Sequence, residues 1–408
     1  MIKEIIDLRK NVENDIENTL KKYKEVCFYN QEKVLNTFLK HNVSDFYFNP
    51  STGYGYGDIG RDALEEIYAE IFGGEAALVR PQIVSGTHAI SLCLFSNLKK
   101  DDQLVSIGRP YDTLQKVIGV SSSLPNSLTS LGVKYKEAPL EAIENNILNE
   151  YIDNNTKMVF IQRSRGYQER KTLTIKEIEK AIKQIKSISE EIIVCVDNCY
   201  GEFVEELEPC NVGADMVAGS LIKNPGGGLA PTGGYIIGKK NLIDLASDRL
   251  SAPGLGREVG SSTTDKRLFY QGIFMAPHIV LQSLETAIFA SRLFEILGFK
   301  IDPYYTEDRG DIIQTITLQT RSNLLTFCET IQRNSPVDSQ VKPEPAQLPG
   351  YDIPVIMAAG TFVQGASIEL SVDAPVKDPY IAYLQGGLTS ESSKIILLKA
   401  ANELINKF

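Results

Sequence analysis

The chain has 408 residues, of which 43% are hydrophobic, and its 42 basic and 52 acidic residues give a formal net charge of −10. An acidic, well-mixed surface argues against nucleic acid or an anionic membrane as the main partner, because both bind basic faces. The N-terminal sequence MIKEIIDLRK lacks an apolar signal region, and no apolar run approaches the roughly 20 residues that cross a bilayer. We therefore expect a cytoplasmic protein, and the length favours two domains.

The cysteines predict no metal site. Cys195, Cys199 and Cys210 form the one cluster in the sequence, but their spacing fits no common zinc pattern and the chain has only three histidines. Nothing resembles a disulfide framework, so buried reduced thiols are the expectation.

The first 40 residues predict an amphipathic helix, since Ile5, Val12, Ile16 and Leu20 recur at helical spacing. We assign residues 1–50 to an N-terminal helical segment. An irregular stretch rich in glycine and tyrosine, 46–60, follows, and a second helix is predicted from about Arg61.

The next part of the chain alternates short apolar runs with helical patterns. Apolar strands separated by helices are typical of an α/β domain whose largely parallel sheet is covered on both faces. We assign residues 51–298 to this large domain, with the last strand a candidate for an antiparallel member. The predicted strands are Leu78–Val84, Leu104–Ile107, Met158–Ile161, Ile192–Val196, Met216–Ala218 and Tyr235–Ile237.

A long helix is predicted over about Lys266–Leu297, and the pattern then changes. Polar and apolar residues alternate, a proline-rich loop covers 336–354, and a helix is predicted near Glu391–Lys407. These features predict a smaller α+β domain over residues 299–408.

Ser85, Gly86, Thr87 and His88 follow a predicted strand and precede a predicted helix. Small residues at such a turn leave backbone N–H groups free, and the helix N-terminus favours an anion such as phosphate. The alternative is an ordinary turn in which glycine only relieves the backbone.

Asp197 ends the buried run Ile192–Val196, at the edge where open α/β sheets bind ligands. A carboxylate at this place fits a metal ligand, a helix cap or a partner for a cationic ring nitrogen.

Ser220 and Lys223 close the strand Met216–Ala218, and Pro225-Gly226-Gly227-Gly228 follows. A P-loop also joins lysine to glycines, but its glycines precede the lysine, so the order here excludes that motif. Lys223 comes 26 residues after Asp197 (223 − 197), about one strand–helix–strand step. We call the turn Ser85–His88 the anion cradle. Together with it, Lys223 and Asp197 supply what pyridoxal 5′-phosphate (PLP) requires: an amine, a carboxylate for the ring nitrogen and a phosphate site.

The segments SGTHAI, RPYDT, VDNCYGEF and SLIKNPGGG occur in the order found in PLP enzymes of the aspartate-aminotransferase fold (fold type I). Within that group the chain resembles the cystathionine/methionine γ-lyase superfamily. It is most similar to the bacterial methionine γ-lyase-like or aluminium-resistance proteins, whose IQRSRGY and GTFVQGASIELS segments are also present. The resemblance covers essentially the whole chain and implies a mainly parallel sheet of the seven-stranded type.

The resemblance also implies roles for single residues. Lys223 would form the Schiff base and carry the proton at the substrate Cα, while Asp197 would pair with the pyridinium. Tyr111 would stack on the ring and assist as an acid or base. The phosphate site would be formed by Ser85, Gly86, Thr87 and Ser220.

Tyr54 and Tyr56 resemble the residues that reach the phosphate site of a neighbouring subunit. This implies a homodimer or homotetramer with its active site at the subunit interface. For His88 a structural role and a contact with the cofactor ring both stay open.

Two positions depart from the family pattern. Ile222 replaces a threonine, and Glu369, in the predicted late strand Ser367–Val372, replaces the arginine that binds the substrate carboxylate. A glutamate cannot form that bidentate pair. Arg163 and Arg165 are the candidates to take over, although surface or capping roles explain them equally well.

The resemblance implies a carbon–sulfur lyase that acts on a sulfur amino acid by β- or γ-elimination. One alternative is another fold-type-I reaction, namely that of an aldolase, aminotransferase or desulfurase. The other is a non-catalytic protein of aluminium or stress resistance. The dispersed acidic residues do not suggest an Al³⁺ site, since a hard cation needs clustered oxygen ligands.

Overall fold

The larger part of the chain is built on a seven-stranded sheet. A computed structural model describes residues 2–120, 124–347, 351 and 353–406. The strands are β1 (Ala76–Arg80), β2 (Gln103–Ile107), β3 (Lys134–Ala138), β4 (Thr156–Gln162), β5 (Ile193–Asp197), β6 (Met216–Ser220) and β7 (Gly234–Gly238). Their order is β1-β7-β6-β5-β4-β2-β3.

The pairing within this sheet confirms the predicted fold class. Strands β2 to β6 pair in parallel, whereas β7 runs antiparallel to both β1 and β6. The antiparallel member is the strand that the sequence singled out. The pattern missed β3, because its sequence KYKEA is mostly polar and it lies at the edge of the sheet.

Helices cover the sheet and link its strands. Thr174 and Glu177 form a capping box at the start of α6, whose apolar face is buried. Helix α1 packs along α8. The helices are α1 (Ile2–Lys40), α2 (Ile59–Phe72), α3 (Gly86–Asn97), α4 (Asp112–Ile118), α5 (Glu141–Glu144), α6 (Ile175–Ile188), α7 (Lys240–Leu250), α8 (Arg267–Ile296), α9 (Arg321–Arg333) and α10 (Ser390–Ile405).

Helix α8 is long and apolar enough to cross a membrane by length and composition. Of its most apolar window, however, 67% is buried inside the protein. It is the one such helix among the described residues, and its burial is that of a core helix.

A second sheet of five antiparallel strands follows α8. The strands are β8 (Lys300–Asp302), β9 (Gln314–Thr317), β10 (Val355–Ala359), β11 (Ser371–Pro375) and β12 (Ile381–Gln385). Their order is β10-β11-β12-β9-β8. The predicted late strand Ser367–Val372 is wrong in its start: β11 begins at Ser371, and Glu369 lies in the bend before it.

Candidate active site

One cavity of about 530 Å³ lies at the carboxyl ends of β4, β5 and β6 and is closed on one side by the second sheet. This is the edge at which open α/β sheets bind ligands. It brings together most of the predicted site residues, which are distant in sequence. Those that line it are Ser85, Gly86, Thr87, Tyr111, Asp197, Ser220 and Lys223.

Asp197 is the last residue of β5 and is 5% exposed. Its Oδ1 accepts a hydrogen bond from the Cys199 amide at 3.1 Å, and no lysine or arginine of the described ranges forms an ion pair with it. Burial raises its pKa, although Cys199, Lys223 and Arg170 act in the opposite direction. A buried carboxylate without a paired cation suits a protonated ring nitrogen, which would stabilise the charged form.

Lys223 lies just beyond β6, where a short 3₁₀ turn over Asn224–Gly226 begins. A Cβ atom at Gly226 would lie 1.7 Å from the Leu221 carbonyl oxygen, so only glycine allows the chain to fold back this tightly. The turn fixes Lys223 at the floor of the cavity. Burial lowers the pKa of its ammonium group, but the neighbouring Tyr200, Cys199 and Asp197 raise it above the usual value.

The first turn of α3 forms the predicted anion cradle. Ser85 caps it, with its Oγ accepting from the His88 amide at 3.0 Å and its carbonyl from the Ala89 amide at 3.0 Å. This leaves the amides of Gly86 and Thr87 without an intrahelical acceptor. A Cβ atom at Gly86 would lie 3.1 Å from Cys199 Sγ, so a larger residue there would require the thiol to move by a few tenths of an ångström.

Tyr111 forms one wall of the cavity and contacts the cradle. Its hydroxyl lies 2.8 Å from Thr87 Oγ1, and its amide donates to Gln162 Oε1 at 3.0 Å. Burial and the nearby Asp197 raise the pKa of the phenol well above its usual value. Tyr111 is therefore a neutral phenol near pH 7, able to donate a proton.

The groups that line the cavity match the chemical groups of PLP. The Lys223 amine, a buried carboxylate without a paired cation and two helix amides without an intrahelical acceptor face one cavity. They correspond to the aldehyde, ring nitrogen and phosphate of that cofactor.

Comparison with known proteins agrees with this geometry. The family model described as methionine gamma-lyase matches residues 5–405. The chain belongs to the methionine γ-lyase family. Members of this family use PLP, and PLP is accordingly the cofactor of this chain.

Several relatives are similar over nearly their whole length. The uncharacterized protein YnbB of Bacillus subtilis is 51% identical over 401 residues, 97% of this chain and 95% of the relative. A carbon-sulfur lyase involved in aluminum resistance from Clostridium novyi NT is 48% identical, with a TM-score of 0.92 over 98% of this chain and 95% of that one. A Listeria monocytogenes protein, provisionally described as a cystathionine beta-lyase involved in aluminum resistance, is 48% identical, with a TM-score of 0.95 over 98% and 99%.

The two arginines expected to bind a substrate carboxylate do not line the cavity of this family member. Arg163 is fully buried, and its guanidinium contacts Asn198 and Glu205 at 2.7 and 2.8 Å. Arg165 is 3% exposed and pairs with Asp302 at 2.6 Å. The loop after β4 turns both side chains inward, so their expected role is corrected to a structural one.

Tyr54 and Tyr56 do not line the cavity of their own chain. They are 71% and 64% exposed, and their ring centroids are 5.4 Å apart. Their predicted contact with a neighbouring subunit stays a prediction. His88 does not line the cavity either; its Nδ1 accepts from the Val84 amide at 3.2 Å, which favours the structural role.

Of the two residues that depart from the family pattern, Ile222 lines the cavity and Glu369 does not. Ile222 supplies no hydroxyl there. Glu369 faces the other way: it is 3% exposed, and its carboxylate accepts from the amides of Phe362 and Val363 at 2.8 and 2.9 Å. Glu369 therefore does not take over the role of the arginine that the family pattern has at this position. Its carboxylate instead stabilises the loop that contains Phe362 and Val363.

Sequence reasoning missed several residues of the cavity. Arg109 and Lys377 are, besides Lys223, its cationic side chains among the described residues. Tyr200 follows Asp197 within the quoted VDNCYGEF segment, so the motif itself carried a signal for it. Tyr167 and Tyr351 lie far apart in sequence and give no comparable signal.

Within the described part of the chain, no group of three or more His, Cys, Asp or Glu side chains is arranged to hold a metal ion. The six cysteines are free thiols. Burial raises the pKa of Cys199 well above its usual value, so this cavity-lining thiol is protonated near neutral pH.

Proposed function

We propose that the protein is a PLP-dependent carbon–sulfur lyase that eliminates a thiol from a sulfur amino acid. The observation that carries this proposal is the convergence of Lys223 and Asp197 on one cavity, in a chain of the methionine γ-lyase family. The descriptions of the Clostridium and Listeria relatives support the lyase class. A cytoplasmic location is part of the same proposal.

Bound in this cavity, the cofactor would supply an electron sink for the bond that breaks at the substrate Cα. Asp197 keeps the cofactor ring protonated. Lys223 removes the proton from the substrate Cα and returns protons as the thiol leaves. In this proposal Tyr111, a neutral phenol beside Thr87, orients the cofactor and donates a proton to the leaving sulfur; its contact with Thr87 and its raised pKa support this role.

Arg109 is the candidate for binding the substrate carboxylate. It lines the cavity, and its one described side-chain contact is with a neutral partner, Gln115 Oε1, at 3.1 Å. A guanidinium pairs bidentately with a carboxylate, whereas an ammonium does not. Arg109→Met should therefore raise KM by about 10-fold or more, and Lys377→Met, which removes the other cation, should change it less.

The test is a product analysis with the purified holoenzyme. Incubated with cystathionine, a lyase releases a thiol amino acid, a 2-oxo acid and ammonia in equal amounts. Pyruvate with homocysteine indicates β-elimination, and 2-oxobutanoate with cysteine indicates γ-elimination; methionine tests for methanethiol. Lys223→Ala is the matched control and should be inactive. Amino-group transfer to an added 2-oxo acid, with no thiol from any sulfur amino acid, would contradict the proposal.

We propose further that a homo-oligomer is the active form, with Tyr56 completing the neighbouring subunit's phosphate site. The exposed tyrosine pair supports this, because large aromatic side chains on a surface favour an interface. Subunit complementation tests it. Lys223→Ala and Tyr56→Ala would each be inactive alone. After random reassortment about half of the dimers are mixed and each of these contains one intact site, so the mixture should recover roughly a quarter of wild-type activity. No recovery in verified mixed dimers would refute a shared site.

A further inference from the structure

Lys223 and Tyr200 are in direct contact inside the cavity. The lysine Nζ lies 3.4 Å from the centroid of the Tyr200 ring, and both residues line the cavity. An ammonium group within about 6 Å of an aromatic face is attracted by the ring quadrupole, and more strongly where water is excluded.

The backbone at Tyr200 is unusual and holds the ring in this place. Its φ is +73°, in the left-handed region that bulky side chains rarely adopt. The turn is fixed on both sides, because the Asn198 amide donates to the Ala218 carbonyl at 3.0 Å and the Gly201 amide to the Asn198 carbonyl at 2.9 Å. A relaxed conformation at position 200 would move the ring away from the lysine.

Residues of the second sheet also contact Tyr200. Tyr200 packs against the small apolar cluster of Ile313, Ile381 and Tyr383. Its hydroxyl also lies in the field of Asp373 and beside Ser367, whose buried Oγ has no hydrogen-bond partner of normal geometry among the described residues. Tyr200 thus contacts both the lysine and the second sheet.

We propose that Tyr200 is a positioning residue for Lys223, whose amine rests against the Tyr200 ring whenever it is not bonded to the cofactor. This inference rests on the proposed function, in which the amine is freed during each turnover. By fixing the amine, Tyr200 determines where Lys223 takes up and delivers protons, and it favours the charged form of that amine.

Other groups also act on the amine and must be kept constant in a test. Burial lowers the Lys223 pKa, and the surrounding acidic groups raise it. Six titratable groups have fields that reach Lys223. They are Asp197, Cys199, Tyr200 and Glu202 from the large domain, Tyr351 from the loop before β10, and Asp373 from β11. A substitution at position 200 leaves the other five in place.

The experiment measures the pKa of Lys223 in the full chain after removal of PLP. The protein is acylated competitively with acetic anhydride at a series of pH values, and the peptide that contains Lys223 is quantified by mass spectrometry. Tyr200→Leu should lower that pKa by about one unit, because the ring is lost. Tyr200→Phe keeps the ring and removes only the hydroxyl, which also raises the Lys223 pKa, so it should lower that pKa by clearly less than Tyr200→Leu does. Ile353→Ala removes a cavity-lining side chain without this contact and is the matched control.

The holoenzyme provides a second readout. If Lys223 must be neutral to accept the Cα proton, the acid limb of kcat against pH should move to lower pH by about one unit in Tyr200→Leu and by clearly less in Tyr200→Phe. An unchanged Lys223 pKa in folded Tyr200→Leu, or an equal shift in Tyr200→Phe, would overturn the proposal. If Tyr200→Leu does not fold, Tyr200→Met, which also lacks a ring, carries the same expectation. Because the acylation needs no turnover, its outcome is independent of whether the enzyme proves to be a lyase.

Discussion

Thr87 Oγ1 lies 2.8 Å from the hydroxyl of Tyr111, so the anion cradle at the start of α3 and the aromatic wall of the cavity are joined by one hydrogen bond. The bond links two residues that lie 24 positions apart in the chain. Its consequence is that the phosphate site and the ring site should respond together to substitution.

A double-mutant cycle tests this link. Thr87→Val and Tyr111→Phe should each weaken PLP binding by about 1 kcal/mol, and the double variant should lose less than the sum, with a coupling of about 1 kcal/mol. The measurement is a titration of the cofactor-free protein with PLP, followed by absorbance. Thr113→Val, on the same cavity wall, is the control and should couple to Tyr111→Phe by less than about 0.3 kcal/mol. Additive losses at Thr87 and Tyr111 would show that the bond does not couple the two sites.

Asp197→Asn separates the charge of this side chain from its shape. Asparagine can still accept from the Cys199 amide but cannot stabilise a protonated ring. We expect the exchange of the substrate Cα proton to slow by about 100-fold or more, while the Kd for PLP rises less than about 10-fold. Proton NMR in D₂O measures the exchange. If affinity falls more than exchange, Asp197 serves mainly to hold the cofactor.

The positions of Asp197 and Lys223 at the cavity were predictable because each lies at or just beyond the carboxyl end of an apolar strand. The parallel order of β5 and β6 then brings them to the same edge. Ser85, Gly86 and Thr87 follow the same rule at the start of α3.

The roles of Arg163, Arg165 and Glu369 depend instead on contacts that no local pattern contains. Arg163 forms an ion pair with Glu205, which follows it by 42 residues. Arg165 forms an ion pair with Asp302, which belongs to the second sheet. The family pattern placed a charge at position 369, but the direction of that side chain is set by the bend before β11. The sequence therefore identified charged residues near the site, but it did not predict whether their side chains face the cavity.

Glu202 should make stability fall as the pH rises. It is fully buried, its Oε1 accepts from the Tyr235 hydroxyl at 2.7 Å, and its Oε2 has no partner among the described residues. Burial raises its pKa from the usual 4.5 to about 8. Between these values the folded state keeps a proton that the unfolded state releases, so the free energy of unfolding decreases with pH.

Glu202→Gln removes this titration and keeps a hydrogen-bonding side chain opposite Tyr235. Between about pH 5.5 and 7.5, the wild type should lose stability relative to the variant by about 1.4 kcal/mol per pH unit. Urea denaturation at several pH values measures the difference. Glu190→Gln, on the surface, should follow the wild type. Parallel pH profiles for wild type and Glu202→Gln would mean that Glu202 is ionised in the folded protein throughout this range.

Restoring the family's arginine at position 369 should not restore a carboxylate site. The Glu369 carboxylate accepts from the amides of Phe362 and Val363, so Glu369→Arg would leave both donors unpaired and place a guanidinium where the side chain is 3% exposed. We expect a loss of about 3 kcal/mol or more in the free energy of unfolding and no decrease in KM. Glu369→Gln, which keeps one acceptor oxygen, should lose about 1–2 kcal/mol. Urea denaturation and steady-state kinetics of the two variants distinguish the cases. A Glu369→Arg protein as stable as the wild type and with a lower KM would mean that position 369 faces the substrate, and that the bend before β11 is not fastened by this carboxylate.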